Sequence, residues 1–432
     1  MGAIADHATT CRLLGAALGA LLSTSTASAG TNTVVALTGS RTSASEASAS
    51  VASASAASAT AASASAASAS AASATALSGV SAASRLGVFS SFGAQAAPDQ
   101  PFRALRGVTL GPIESQLQPG RGYGSSAFDA TLGEVRRLGG NWISLTVFGR
   151  VWDLDSTGIE MSFEAPWAET QENVRRAVRL AHAQGLQVLL VPHLWIESRK
   201  WRAELDPGSD DGWKRWASSY ERFVLSWAQL AEESGVDLFA VGVEMRSWLT
   251  TTRAPSFAPI LRQIRAAYSG PLTYAANWDD AEDTVIWGDL DVIGINAFYQ
   301  LHWEDDATTE QLMAGGKRVA EQVTALGHRY KKPVIFTEFG YVARKNTAIK
   351  PWLWPEELGA VQLDQEAQAE AYSALLSAMV DVPEFAGLFV WRMYADLADL
   401  SQEPDWGFSP WGKSSQQVLR DAYETRFAAD RL

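Results

Sequence analysis

Eight apolar runs recur beyond residue 100, and the segments between them change period. This alternation constrains the fold more than any other feature of the chain. The runs are RGVTLGP (106–112), NWISLTVF (141–148), QVLLVPHLW (187–195), LFAVGVEM (238–245), PLTYAANW (271–278), DVIGINAFY (291–299), PVIFTEFGY (333–341) and GLFVWRMYAD (387–396). Most are continuous rather than alternating and rich in β-branched and aromatic residues, as strands covered on both faces are. Between them the period becomes helical. Phe128, Leu132, Val135 and Leu138 form one stripe, closed by Gly139; Trp213, Trp216, Tyr220, Phe223, Trp227 and Leu230 form another, closed by Gly235; Ile260, Leu261 and Ile264 mark a further helix. The aromatic stripe reads as a helix face packed on a sheet rather than a cofactor box. Residues 279–289 are too few for a full helix, so the fifth strand should be followed by little more than a turn. Eight strands in such alternation predict an α/β fold, a single (β/α)8 TIM barrel. An open doubly wound sheet would announce a Gly-rich phosphate turn after its first strand, and RGVTLGPIES does not.

The N-terminal part is of another kind. Arg12 precedes an apolar run from Leu13 to Leu22, and ASAG follows, with small residues at Ala27 and Ala29. This is the pattern of a secretory signal peptide over 1–29, too short to span a membrane. Residues 40–85 are nearly all Ala and Ser, with few of the large apolar side chains that build a core, and 30–98 as a whole read as a low-complexity, disordered linker. The folded domain is then 99–432. The single cysteine, Cys11, lies ahead of the apolar run, so the exported domain holds itself together without disulfides. A formal charge of −13 argues against nucleic acid as a partner. There is no P-loop, dinucleotide fingerprint, HExxH or G-x-S-x-G. The five histidines form no i,i+4 pair, which argues against a catalytic zinc site, and no metal or other cofactor is expected. The protein is expected to work as an extracytoplasmic or secreted monomer.

In a barrel the C-terminal ends of all strands meet at one mouth, where catalysis takes place. The third run ends with His193 and Trp195, the fourth with Glu244, and the fifth carries Asn277, Trp278, Asp279 and Asp280. The sixth offers Asn296, Tyr299 and His302, the seventh Glu338, and the eighth Trp391. A carboxylate at the end of a buried strand needs a partner or a task. Two of them in one bowl suit glycosidic bond cleavage. The transition state is oxocarbenium-like, and a carboxylate stabilises or captures it. The leaving oxygen needs a proton from a second carboxyl group. Sugars also present apolar faces to Trp and Tyr and hydroxyls to Asn, His and Asp. All 17 tryptophans lie within the folded domain, in keeping with a polysaccharide or oligosaccharide substrate. A non-catalytic carbohydrate-binding barrel is the alternative of another class. A hydrolase or transglycosylase of the same fold acting on another β-glycan is a third.

The motifs VGVEM, TYAANWDD, DVIGINAFY, PVIFTEFGY and WGFSPWGK, in this order over about 104–428, resemble glycoside hydrolase family 113 of the retaining clan A. The resemblance implies an endo-acting β-1,4-mannanase using double displacement. It implies Glu244 as acid/base, Glu338 as nucleophile, Tyr299 as the hydrogen-bond donor that orients Glu338, and Trp391 as the floor of the cleaved sugar's subsite. Many members of the clan carry Asn just before the acid/base, where it contacts the sugar 2-hydroxyl; here that position is Val243. Asn277, Asn296 and His193 are candidates for the contact. These roles lead one to expect an ionised Glu338 and a Glu244 whose pKa is raised.

Overall fold

The computed structural model describes residues 105–112, 118–162, 165–353, 360–398 and 403–427. The signal peptide and Ala/Ser linker read from the sequence lie outside them. Eight parallel strands close into a barrel in sequential order: β1 (Leu105–Gly111), β2 (Trp142–Val151), β3 (Gln187–Ile196), β4 (Leu238–Val243), β5 (Leu272–Asn277), β6 (Ile293–Ala297), β7 (Val334–Phe339) and β8 (Phe385–Tyr394). Around it lie α1 (Ser126–Arg137), α2 (Trp167–Ala183), α3 (Asp210–Ser234), α4 (Ala258–Ala267), α5 (Thr309–Tyr330), α6 (Gln365–Met379) and α7 (Ser414–Asp421). The expected (β/α)8 barrel is therefore present. Between β5 and β6 there is only a 3-10 turn, Ile286–Asp289, as the short segment foretold. Trp287 fills that place, buried against Tyr274 with ring centroids 5.8 Å apart.

The helices form where the sequence stops and starts them. Ser209 caps α3 by accepting from the backbone N–H of Gly212, and Gly235 ends it at φ 73°, a left-handed conformation that glycine adopts without strain. The buried face of α3 holds Trp213, Trp216, Tyr220, Phe223, Trp227 and Leu230, the aromatic stripe of the sequence. Each such side chain contributes roughly 1.5–3 kcal/mol of burial. Among the described residues, no helix is long and apolar enough to cross a membrane.

Alternation along the strands sorts side chains into an outer layer under the helices and an inner layer in the bore. Leu105, Trp142, Leu189, Leu238, Val292, Ile335 and Phe389 belong to the inner cluster and plug the bore. A Cβ on Gly107 would lie 2.2 Å from the Phe389 ring, so the plug requires glycine there. Ser144, Thr146, Thr273 and Thr337, all buried, add inward polar side chains. The charged and aromatic residues described next lie at the strands' C-terminal ends.

Candidate active site

Glu244 directly follows β4 and Glu338 lies near the end of β7. Both are buried, with relative exposures of 2% and 7%. Glu244 reaches its position through a left-handed backbone at φ 48°, uncommon for a residue with a Cβ. Its N–H donates to the carbonyl of Ala275 at 2.8 Å, and the Tyr274 hydroxyl accepts from the N–H of Met245 at 2.6 Å. These bonds fix the turn.

Glu338 points inward because of a bulge. On β7, Ile335 belongs to the inner cluster and Phe336 to the outer one, so strict alternation would send residue 338 outward. The pairing with β6 instead steps from Ile295–Phe336 to Asn296–Glu338, leaving Thr337 as an extra residue. Bulges re-aim side chains in this way. Thr337 also remains inward and donates to Asn296 Oδ1 at 2.9 Å, while Phe339 returns to the outer layer.

Three donors converge on Glu244. Trp201 Nε1 donates to its Oε2 at 2.9 Å, the Arg202 guanidinium forms an ion pair with the same oxygen, and Asn296 Nδ2 donates to Oε1 at 2.9 Å. A carboxylate, which only accepts, suits such a setting. Arg246 supports Trp201 from outside: its guanidinium lies 4.6 Å from the indole centroid and is held by Asp280 at 2.9 Å and by Asp279. Burial raises Asp280 to about 7, against the pull of Arg246.

Glu338 has the opposite surroundings. Burial first, and then the charge of Glu244, raise its pKa to about 8; Arg202, Arg392 and the Asn296 amide pull the other way. The expectation of a Glu338 kept ionised by its neighbours is thus corrected: the donors near the pair are mainly spent on Glu244. Asn296 links the two carboxyl groups, bonded to one and bearing on the other.

The remaining predicted residues divide. His193 is inward and buried; burial, followed by the charges of Arg202 and Arg392, holds it well below its usual pKa, so it is a neutral imidazole. Trp195 follows on the same face of β3, and Trp391 lies two residues beyond Phe389 on β8. Trp391 clusters with Phe298, Val342 and Phe408, and Trp278, Trp352 and Trp406 pack against them. Trp278 stacks on Trp352 at 5.0 Å. Within this cluster the indole N–H groups of Trp278, Trp352 and Trp391 are buried without a hydrogen-bond partner among the described residues. Asn277 donates to Asp279 at 2.6 Å, so the two engage each other and Arg246.

Tyr299 does not meet Glu338. Asn296 and Phe298 point inward, so alternation turns Tyr299 to the outer cluster, between Trp278 (5.7 Å) and Phe336 (6.1 Å). The acids that bear on its hydroxyl are Glu282 and Asp279, and burial raises its pKa. His302 is tied to its own loop, its Nδ1 3.1 Å from the N–H of Glu304. Sequence reasoning missed Trp201, Arg202, Arg246 and Arg392. A signal existed in KWRAE, an aromatic and a cation shortly after a barrel strand.

A closed parallel barrel with two buried carboxyl groups that share the Asn296 amide, and an aromatic wall at its mouth, is an arrangement that suits glycosidic bond cleavage. Residues 118–413 match the model of Glycoside Hydrolase Family 113, and the chain belongs to that family. It is a glycoside hydrolase. Solved structures agree on the fold. One is the family 113 β-mannanase of Alicyclobacillus acidocaldarius in complex with ManMIm, 24% identical, with a TM-score of 0.63 over 77% of this chain and 100% of that one. A second is a family 113 β-1,4-mannanase complex, 20% identical, TM-score 0.64, covering 75% and 99%. A family 5 mannosidase from Rhizomucor miehei is 12% identical, TM-score 0.52, covering 77% and 94%. No curated protein matches the chain in sequence.

Proposed function

We propose that the protein is an endo-acting β-1,4-mannanase that works by double displacement with retention. The observation that carries this reading is the Glu244–Asn296–Glu338 constellation at the ends of β4 and β7 in a family 113 chain. The likeness to solved β-mannanases supports the choice of sugar. Glu338 attacks the anomeric carbon while Glu244 gives its proton to the departing glycosidic oxygen. The C–O bond breaks and a glycosyl ester forms. Water then attacks the ester as Glu244 takes a proton, and Glu338 leaves as a carboxylate. Trp391 and its aromatic neighbours hold the sugar face. With Val243 in the place of the clan's Asn, Asn296 is the amide that bears on both carboxyl groups.

Below about pH 8 the resting protein holds its proton on Glu338. Attack requires the proton on Glu244. A second reading follows from the same donors: Glu244 as nucleophile and Glu338 as acid. Azide with an activated aryl β-mannoside separates the two. Under the first reading Glu338→Ala is rescued to the α-azide and Glu244→Ala to the β-azide. The opposite anomers would establish the second reading. A panel of mannan, glucomannan and other β-glycans tests the substrate. Release of product only from the other glycans would overturn the mannanase reading. We also propose export through the 1–29 leader; an intact N-terminus on protein recovered outside the cell would overturn it.

A further inference from the structure

Strands β2 and β3 run on together after the bore has ended. They pair without a register break from Trp142–Gln187 to Val151–Ile196, and the N–H of Ser198 still donates to the carbonyl of Trp152 at 3.1 Å. The parity of this ribbon is continuous from bottom to top. Ile143, Leu145, Val147 and Val151 face the helix layer; Trp142 belongs to the inner cluster, followed on its side by Ser144, Thr146, Phe148, Arg150 and Trp152. On β3, Leu189 and Val191 are inner residues, and His193 and Trp195 continue their face. Phe148 touches His193 at 4.9 Å and Trp195 at 6.1 Å, which confirms that the two inward faces are one surface. Burial decreases stepwise along it. Thr146 is buried, Phe148 and Arg150 are half-buried, and Trp152 is 57% exposed.

An indole this exposed at the end of an otherwise inward face calls for an explanation, because its burial against the protein contributes little. The ribbon holds it in place. The Arg150 guanidinium lies 5.3 Å from the Trp152 ring centroid and is steadied by Glu197 at 3.6 Å and Glu160 at 3.9 Å. From Phe148 to Trp152 the strand rises about 13 Å, at about 3.3 Å per residue. A surface of that length is longer than one sugar ring needs.

We propose that the inward face of the β2–β3 ribbon, through Phe148, Trp195 and Trp152, is an outer wall of sugar subsites, with Trp152 as its most distant stacking platform. The occupant is the part of a β-linked polysaccharide chain that leads away from Glu244 and Glu338. The proposal rests on the glycanase reading above and adds to it a dependence on chain length. Trp152 is far from the bond that breaks, so its contribution appears only when the substrate is long enough to reach it.

The test compares the wild type with Trp152→Ala and Trp152→Phe on β-1,4-mannooligosaccharides of increasing length and on mannan. Trp152→Ala should lose on the order of tenfold in kcat/KM on the longest oligosaccharides and the polymer, mainly through KM. It should keep wild-type values on the shortest cleaved substrate, and Trp152→Phe should recover most of the loss. Equal losses at every length would show a structural role and overturn the proposal, as would no loss at any length. If the wild type cleaves another β-glycan but no mannan, the mannanase reading fails, and the same length series on that glycan decides the role of Trp152. Retardation of the two proteins in gels containing the soluble polysaccharide gives a second readout without turnover. Equal retardation would count against the platform.

Discussion

Replacing Glu338 by Gln should stabilise the protein at alkaline pH while abolishing turnover. In the folded state Glu338 has a pKa of about 8, against an ordinary 4.5, chiefly because it is buried and secondly because Glu244 repels its charge. Between these two values the folded protein keeps a proton that the unfolded chain has already released. Stability should therefore be fully present below about pH 4.5, fall as pH rises, and level off above about pH 8. At 1.36 kcal/mol for each pH unit, the ionised group costs about 5 kcal/mol at the plateau. Glutamine has nearly the same shape and no charge to bury. Its Tm relative to wild type should be small near pH 4.5 and should grow to roughly 10 °C near pH 9, at about 2 °C per kcal/mol for a barrel of this size. Thermal unfolding of both proteins between pH 4.5 and 9 measures it. Groups elsewhere, such as Asp280, titrate in both proteins and cancel in the difference. A difference that stays constant across this range would refute the reasoning, because it would mean that Glu338 ionises at no cost.

Arg202→Met removes the cation from the buried ion pair with Glu244, and should lower the unfolding free energy by about 3 kcal/mol and kcat/KM by about a hundredfold, with partial rescue by Arg202→Lys; denaturant titration and steady-state kinetics check both, and wild-type values in either would count against the pair. His193 is neutral at all working pH values, so His193→Gln should leave the acid limb of the pH–rate profile in place between pH 5 and 8 even if turnover falls; a displaced limb would assign the titration to the histidine. Retention requires the carboxyl carbons of Glu244 and Glu338 to lie about 5 Å apart. A crystal structure showing about 9 Å would point to inversion.

Much of the site was legible without coordinates. Glu244 and Glu338 stand out because each ends an apolar run, and a buried acid is conspicuous in any strand. His193, Asn296 and Trp391 follow from the same reasoning, and all point into the bore. Trp201 and Arg202 were not legible as partners of Glu244. They lie on the connection after β3, and only closure of the barrel brings that connection over the end of β4. Arg246 is hidden for the same reason, since its roles depend on Trp201 from one loop and Asp279 and Asp280 from another.

By itself the sequence determined the order and number of strands, the missing helix after β5, and the ring of chemical groups at the mouth. These depend on local period and strand length, which the chain carries in consecutive residues. Tertiary structure alone decided where the side chains point and that the pKa of Glu338 is raised. Tyr299 faces away from Glu338 because alternation continues past the end of β6, and Glu338 faces inward because Thr337 interrupts alternation on β7. That extra residue appears only in the register with β6. The pKa of Glu338 is raised first by burial and then by the charge of Glu244, while Arg202, Trp201 and Asn296 converge on Glu244, an imbalance set by contacts between residues up to 52 positions apart.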